Sequence, residues 1–65
     1  MMTRNEIVST RRVIGWTQRQ LATEAGIGLV TVINYEQGRK VRPSTEKAIR
    51  TALKRGIDQA AVLIL

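Results

Sequence analysis

The sequence predicts an all-α fold of four or five helices in one domain, on three observations. Two stretches, Thr3-Arg4-Asn5-Glu6 and Thr17-Gln18-Arg19-Gln20, match a helix-start pattern. In each a hydroxyl is followed three residues later by Glu or Gln, so that side chain and backbone can cap each other. Glycine falls at 15, 26, 38 and 56, near the places where helices should stop. Apolar residues return at helical spacing, as in Ala48, Ile49, Ala52 and Leu53, with Lys47, Arg50, Lys54 and Arg55 outside that stripe.

The first helix, over about 4–14, offers Ile7 and Ile14 inward, with Thr10 small enough to be covered. A second over about 18–25 offers Leu21, Ala22 and Ala25. A fourth over about 45–55 starts after Pro43-Ser44, where proline halts the preceding segment and serine can cap the new helix. The tail "IDQAAVLIL", residues 57–65, has two readings. It is a fifth helix with Ile57, Ala61 and Ile64 near one face, or a short strand.

The third helix, about 28–36, needs more argument. Leu29-Val30-Thr31-Val32-Ile33 is β-branched and apolar, like a buried strand. A strand would alternate with period two, whereas positions 27–36 fit a rotation of about 100° per residue. On that wheel Ile27, Thr31, Val32 and Tyr35 gather on one face, and Leu29, Val30 and Ile33 on another. β-branching costs a helix only a few tenths of a kcal/mol per residue, which packing can override.

Composition narrows the function. A single domain of 65 residues buries little core. It contains no cysteine for a disulfide and no histidine, so neither a metal site nor a cofactor is expected. Self-association is the remaining common route to stability. Eleven Lys and Arg, eight of them Arg, face five acidic residues, for a net charge of +6. That balance in so small a domain points to a polyanion, most often nucleic acid. The apolar run Ala60–Leu65 has six residues, far short of the ~20 that a membrane span needs. Met1-Met2 leads straight into polar residues with no signal-peptide core, so a cytoplasmic location is expected. Catalysis is not expected: there is no His or Cys, no Gly-Lys-Ser/Thr phosphate loop, and the carboxylates are scattered.

Residues 17–36 read as a helix-turn-helix. Ala22 is small where two helices must cross closely, Gly26 supplies the turn, and Ile27 pins the next helix. The stretch "GWTQRQLATEAGIGLVTVINYEQG" resembles the helix-turn-helix of the phage repressor and Cro proteins, the Xre-type family. The likeness runs from about Ile7 to Ile57. It rests on Arg11, Thr17-Gln18, Leu21-Ala22, Ala25-Gly26-Ile27, Thr31-Val32, Tyr35-Glu36 and Gly38 together.

That resemblance implies a lambda-repressor-like bundle and binding of operator DNA, usually as a two-fold dimer. The third helix then corresponds to the recognition helix, with Gly28, Leu29, Val30, Ile33 and Asn34 toward base edges. Thr17, Gln18 and Arg19 at the start of the second helix, and Arg39, Lys40 and Arg42 after the third, correspond to DNA-backbone positions. Arg11 and Glu36 correspond to a structural ion pair. Positions 28–30 depart from the family's habit, which is polar. Apolar groups there can contact thymine methyls, or this face, Leu29, Val30 and Ile33, meets protein instead. Ile57, Val62, Leu63, Ile64 and Leu65 are expected to bury against a second copy. The resemblance also implies double-stranded DNA and a second copy as partners, RNA polymerase as a further one, and no small-molecule ligand. The function expected is that of a transcriptional regulator, autoregulatory or serving a phage-type switch. An antitoxin-like protein-interaction module that also binds DNA is the alternative.

Overall fold

A computed structural model describes residues 2–64, with side chains described for 2–61. Four helices succeed one another: α1 (Arg4–Val13), α2 (Gln18–Ala25), α3 (Leu29–Glu36) and α4 (Pro43–Ile64). No strand occurs among the described residues. Helices α2 and α3 pack on each other, and α4 closes the bundle against α2 while α1 touches both α3 and α4.

Both capping boxes form. The Glu6 N–H donates to Thr3 Oγ1 at 3.2 Å, and the Thr3 N–H donates to Glu6 Oε1 at 3.0 Å. At α2 the same pair of bonds joins Thr17 and Gln20, at 3.0 and 2.7 Å. The residue just before each cap, Met2 and Trp16, packs against the core. An apolar residue at that position steers the chain into the helix.

The core draws on every helix: Ile7 from α1, Leu21 and Ala22 from α2, Val32 and Tyr35 from α3, and Ile49, Ala52 and Leu53 from α4. Burial pushes the Tyr35 phenol above its ordinary pKa, Glu46 acts in the same direction, and Arg50 and Arg4 oppose it. Tyr35 therefore stays neutral at physiological pH and serves as a packing residue.

The start of α4 differs from its expected form. Pro43 itself opens the helix, and the carbonyl of Arg42 accepts the N–H groups of Thr45 and Glu46 at 3.0 and 3.1 Å. Proline has no N–H to lose, so it suits the first helical position. Ser44 lies inside the first turn and does not cap it.

The end of α4 differs more. Gly15, Gly26 and Gly38 take positive φ and close turns, but Gly56 does not. It sits inside a helix of 22 residues that continues to Ile64, so the strand reading of the tail fails as far as that residue. Gly56 is buried for another reason. A Cβ there would lie 2.7 Å from Ile14 Cδ1 and 2.8 Å from the six-membered ring of Trp16. The missing side chain lets α4 approach the α1–α2 connection, and Trp16 lies in the space it leaves.

Two effects compete at this position. Alanine in a helix interior gains up to about 1 kcal/mol over glycine. Overpacking a filled site costs about 1–3 kcal/mol. The Trp16 ring is rigid, so Gly56→Ala is expected to lower stability by about 1 kcal/mol in urea denaturation, against its helix propensity. A stabilised variant would show that Trp16 can move aside.

Candidate nucleic-acid interface

The site begins with the turn between α2 and α3. The Gly26 N–H donates to the Thr23 carbonyl at 3.2 Å, and the Ile27 N–H reaches back to the Ala22 carbonyl at 3.0 Å. This pair of bonds closes α2 through a left-handed glycine. Ile27 then packs on the core and sets the direction of α3. Ala22, buried at 4 % exposure, leaves room for the crossing.

Helix α3 starts at Gly28, which offers no side-chain cap. Its carbonyl accepts the N–H groups of Thr31 and Val32 at 3.1 and 3.3 Å. Gly28 and Val30 are exposed, Val30 at 68 %. Thr31, Ile33 and Asn34 are partly buried. Leu29 does not share the outward face that the helical wheel assigns it; it packs against the core. The reason is rotational, because Leu29 lies one turn before the fully buried Val32. Of the three outward apolar residues expected, Val30 is the one clearly presented to solvent.

An ion pair holds α3 in place. Glu36 Oε2 accepts from Arg11 Nε at 2.7 Å, and Oε1 accepts from Arg11 Nη2 at 3.0 Å. Arg11 Nη1 donates to the Trp16 carbonyl at 2.8 Å. Gln18 Nε2 adds a bond to Glu36 Oε1 at 3.0 Å. The two charged side chains are 9 % and 7 % exposed. One bidentate pair thus ties α1, the α1–α2 connection, the start of α2 and the end of α3. Gln18, expected to grip phosphate, is anchored here by one amide N–H and keeps a second. Thr17 spends its hydroxyl on the capping box. Arg19 is exposed.

After α3 the chain turns at Gly38 into a basic loop. Arg39, Lys40 and Arg42 are exposed there. They line an open cleft together with Thr31 and Asn34 of α3 and with Val41, Pro43 and Thr45. Arg39 Nη1 donates to Asn34 Oδ1 at 2.8 Å. Arg4, not expected at the site, adds a cation to this edge. Its guanidinium lies over Gly38, with Cζ 3.2 Å from where a Cβ would stand. Nothing in the spacing points to Arg4, because the contact exists only where α1 begins beside the end of α3. No cluster of residues suited to a metal ion occurs among the described residues.

The ion pair thus anchors a surface helix whose exposed side adjoins a basic loop. A family model described as helix-turn-helix matches residues 11–58, well over half of the chain. The chain belongs to the Xre/Cro-like helix-turn-helix family. This is a family of DNA-binding regulatory domains, not of enzymes. No match was found among curated proteins or solved structures. In this Xre/Cro-like domain α2 and α3 are the helix-turn-helix. No helix among the described residues is long and apolar enough to cross a membrane.

The ion pair gives a double-mutant test. Removing one partner of a buried pair strands the other charge and costs about 3–5 kcal/mol, whereas replacing both by apolar residues is often neutral. Arg11→Met and Glu36→Met are each expected to lower stability by that order. The double variant is expected to recover most of the loss in thermal or urea unfolding.

Proposed function

We propose that this domain is a sequence-specific transcriptional regulator that binds a pseudo-palindromic operator as a homodimer. The observation that carries the reading is the surface of α3, where Gly28, Val30 and Asn34 sit beside a cleft rimmed by Arg39, Lys40 and Arg42. Entered into the major groove, α3 brings Val30, with Ile33 behind it, to thymine methyls, and Asn34 lies on the same groove-facing side beside Arg39. Gly28 lets the backbone come close. Arg19, Lys40, Arg42 and the leading N–H groups of α2 and Gln18 take phosphates on either side. Occupying an operator either blocks RNA polymerase or touches it from upstream, and the gene controlled includes the regulator's own.

Selection from random-sequence duplexes, together with footprinting upstream of the gene, tests this. Specific binding is expected to exceed nonspecific binding by ~10³ or more and to weaken steeply with salt. Lys40→Ala should weaken every sequence about equally and reduce the salt slope by about one. Binding that ignores sequence would leave only a general polyanion-binding role.

Support for the dimer comes from a second surface. An apolar groove runs between α1 and α4, lined by Val13, Ile14, Ile57, Ala60 and Ala61 with Ser9 and Thr10. Val13 is 84 % exposed and Ile57 40 %. The tail side chains expected at the dimer contact, Val62, Leu63, Ile64 and Leu65, lie outside the described side chains. Their sequence is wholly apolar. Two such domains on one duplex would place their α3 helices about one turn of DNA apart, ~34 Å. Ile57→Glu is expected to shift the protein to monomer in sedimentation and to lower operator affinity, while leaving the monomer folded. An unchanged dimer would rule out this surface.

A further inference from the structure

The turn after α3 does more than end a helix. Gly38, at φ +88°, donates its N–H to the Tyr35 carbonyl, and the Arg39 N–H reaches the Asn34 carbonyl, both at 3.0 Å. This closure folds the chain back so that Arg39 lies beside the residue five positions earlier. The side chains then meet as well, with Arg39 Nη1 on Asn34 Oδ1 at 2.8 Å. Arg39 is therefore fixed to Asn34 through backbone and side chain together.

Spacing alone groups Arg39 with Lys40 and Arg42 as a cation for phosphate. A phosphate contact of that kind needs charge and reach, not a set orientation. Arg39 is set apart by its bond to a residue of α3 itself. A guanidinium is a planar fork, and one edge of it held by an acceptor leaves the remaining N–H groups pointing in fixed directions. That is the requirement for bidentate contact with O6 and N7 of guanine, the commonest specific contact in the major groove. The same bond changes what Asn34 can do. A bidentate adenine contact uses the asparagine oxygen as acceptor and its amide as donor. Here Arg39 takes one of that oxygen's two acceptor positions and holds the side chain turned toward itself.

We propose that Arg39 is a specificity-determining residue that reads a guanine edge, and that Asn34 is the residue positioning it. The proposal rests on the DNA-reading role of α3 given above.

The test uses the full chain and a pool of random-sequence duplexes, with base preference at each position as the readout. The wild type should select guanine at one position of each half-site. Arg39→Lys keeps the charge and loses the fork, so discrimination at that base pair should fall about tenfold or more while the salt slope holds. Asn34→Ala should weaken preference at the same base pair. Asn34→Asp, which keeps an acceptor for Arg39, should retain it. Combining Arg39→Lys with Asn34→Ala should cost no more discrimination than Arg39→Lys alone. If Arg39→Lys leaves the selected sequence intact, or weakens all sequences alike, Arg39 is a phosphate contact and the proposal fails. It also fails if Asn34→Ala or Asn34→Asp removes an adenine at a different base pair, because Asn34 is then a reader on its own. Should the wild type select no sequence at all, the DNA-reading role falls first and takes this proposal with it.

Discussion

The buried carboxylate of Glu36 organises this small domain. It takes two bonds from Arg11 and one from Gln18, and Arg11 completes the set on the carbonyl of Trp16. A buried charge costs several kcal/mol unless its partner and its remaining hydrogen bonds are all in place. Here they are in place only when α1, α2 and α3 hold one mutual arrangement. The apolar core would tolerate small slides of helix on helix. The ion pair does not, because the fork of Arg11 meets both carboxylate oxygens at once. The end of α3 is therefore set relative to α2 by a directional contact, and the surface of α3 inherits that placement.

Glycine acts in two different ways around this centre. At Gly38 positive φ turns the chain sharply, and Arg39 and Arg4 both depend on the path it takes. At Gly56 the backbone is ordinary helix, and what matters is the missing Cβ. Trp16 lies in the space left by Gly56, while its carbonyl holds Arg11. The tryptophan thus joins the packing of α4 to the ion pair of α1 and α3.

Much of this was legible in the sequence, and the limits have physical causes. The four helices, both capping boxes and the helix-turn-helix rest on short-range signals: a hydroxyl three residues before Glu or Gln, a glycine after an apolar stripe. Such signals survive in a linear reading. Gly56 misled because a glycine in a cap and a glycine under a neighbouring ring are the same letter; only the tertiary contact distinguishes them. Leu29 misled because a wheel over the ten residues 27–36 divides two apolar faces poorly, and its place one turn before the buried Val32 draws it to the core side. Trp16 and Met2 were open to prediction, since an apolar residue just before a capping box commonly packs inward. The bond between Arg39 and Asn34 was not, because it requires the φ of Gly38. Nor was the contact of Arg4 with Gly38, which joins the first residue of α1 to the turn after α3.

The surface of α3 divides its labour unevenly. Ile27, Leu29, Val32, Tyr35 and Glu36 face the domain and carry its packing and its ion pair. Gly28 and Val30 make no contribution to the core, and Gly28 gives no side-chain cap. The residues that hold the fold and those left exposed are therefore separate sets along one short helix. Descent with change can rewrite the second set while the first stays as it is. A lineage that exchanged glycine and valine for polar side chains would keep its architecture and, under the proposed role of α3, address a different stretch of genome. Domains of this design can thus multiply into many regulators without re-solving the problem of folding each time.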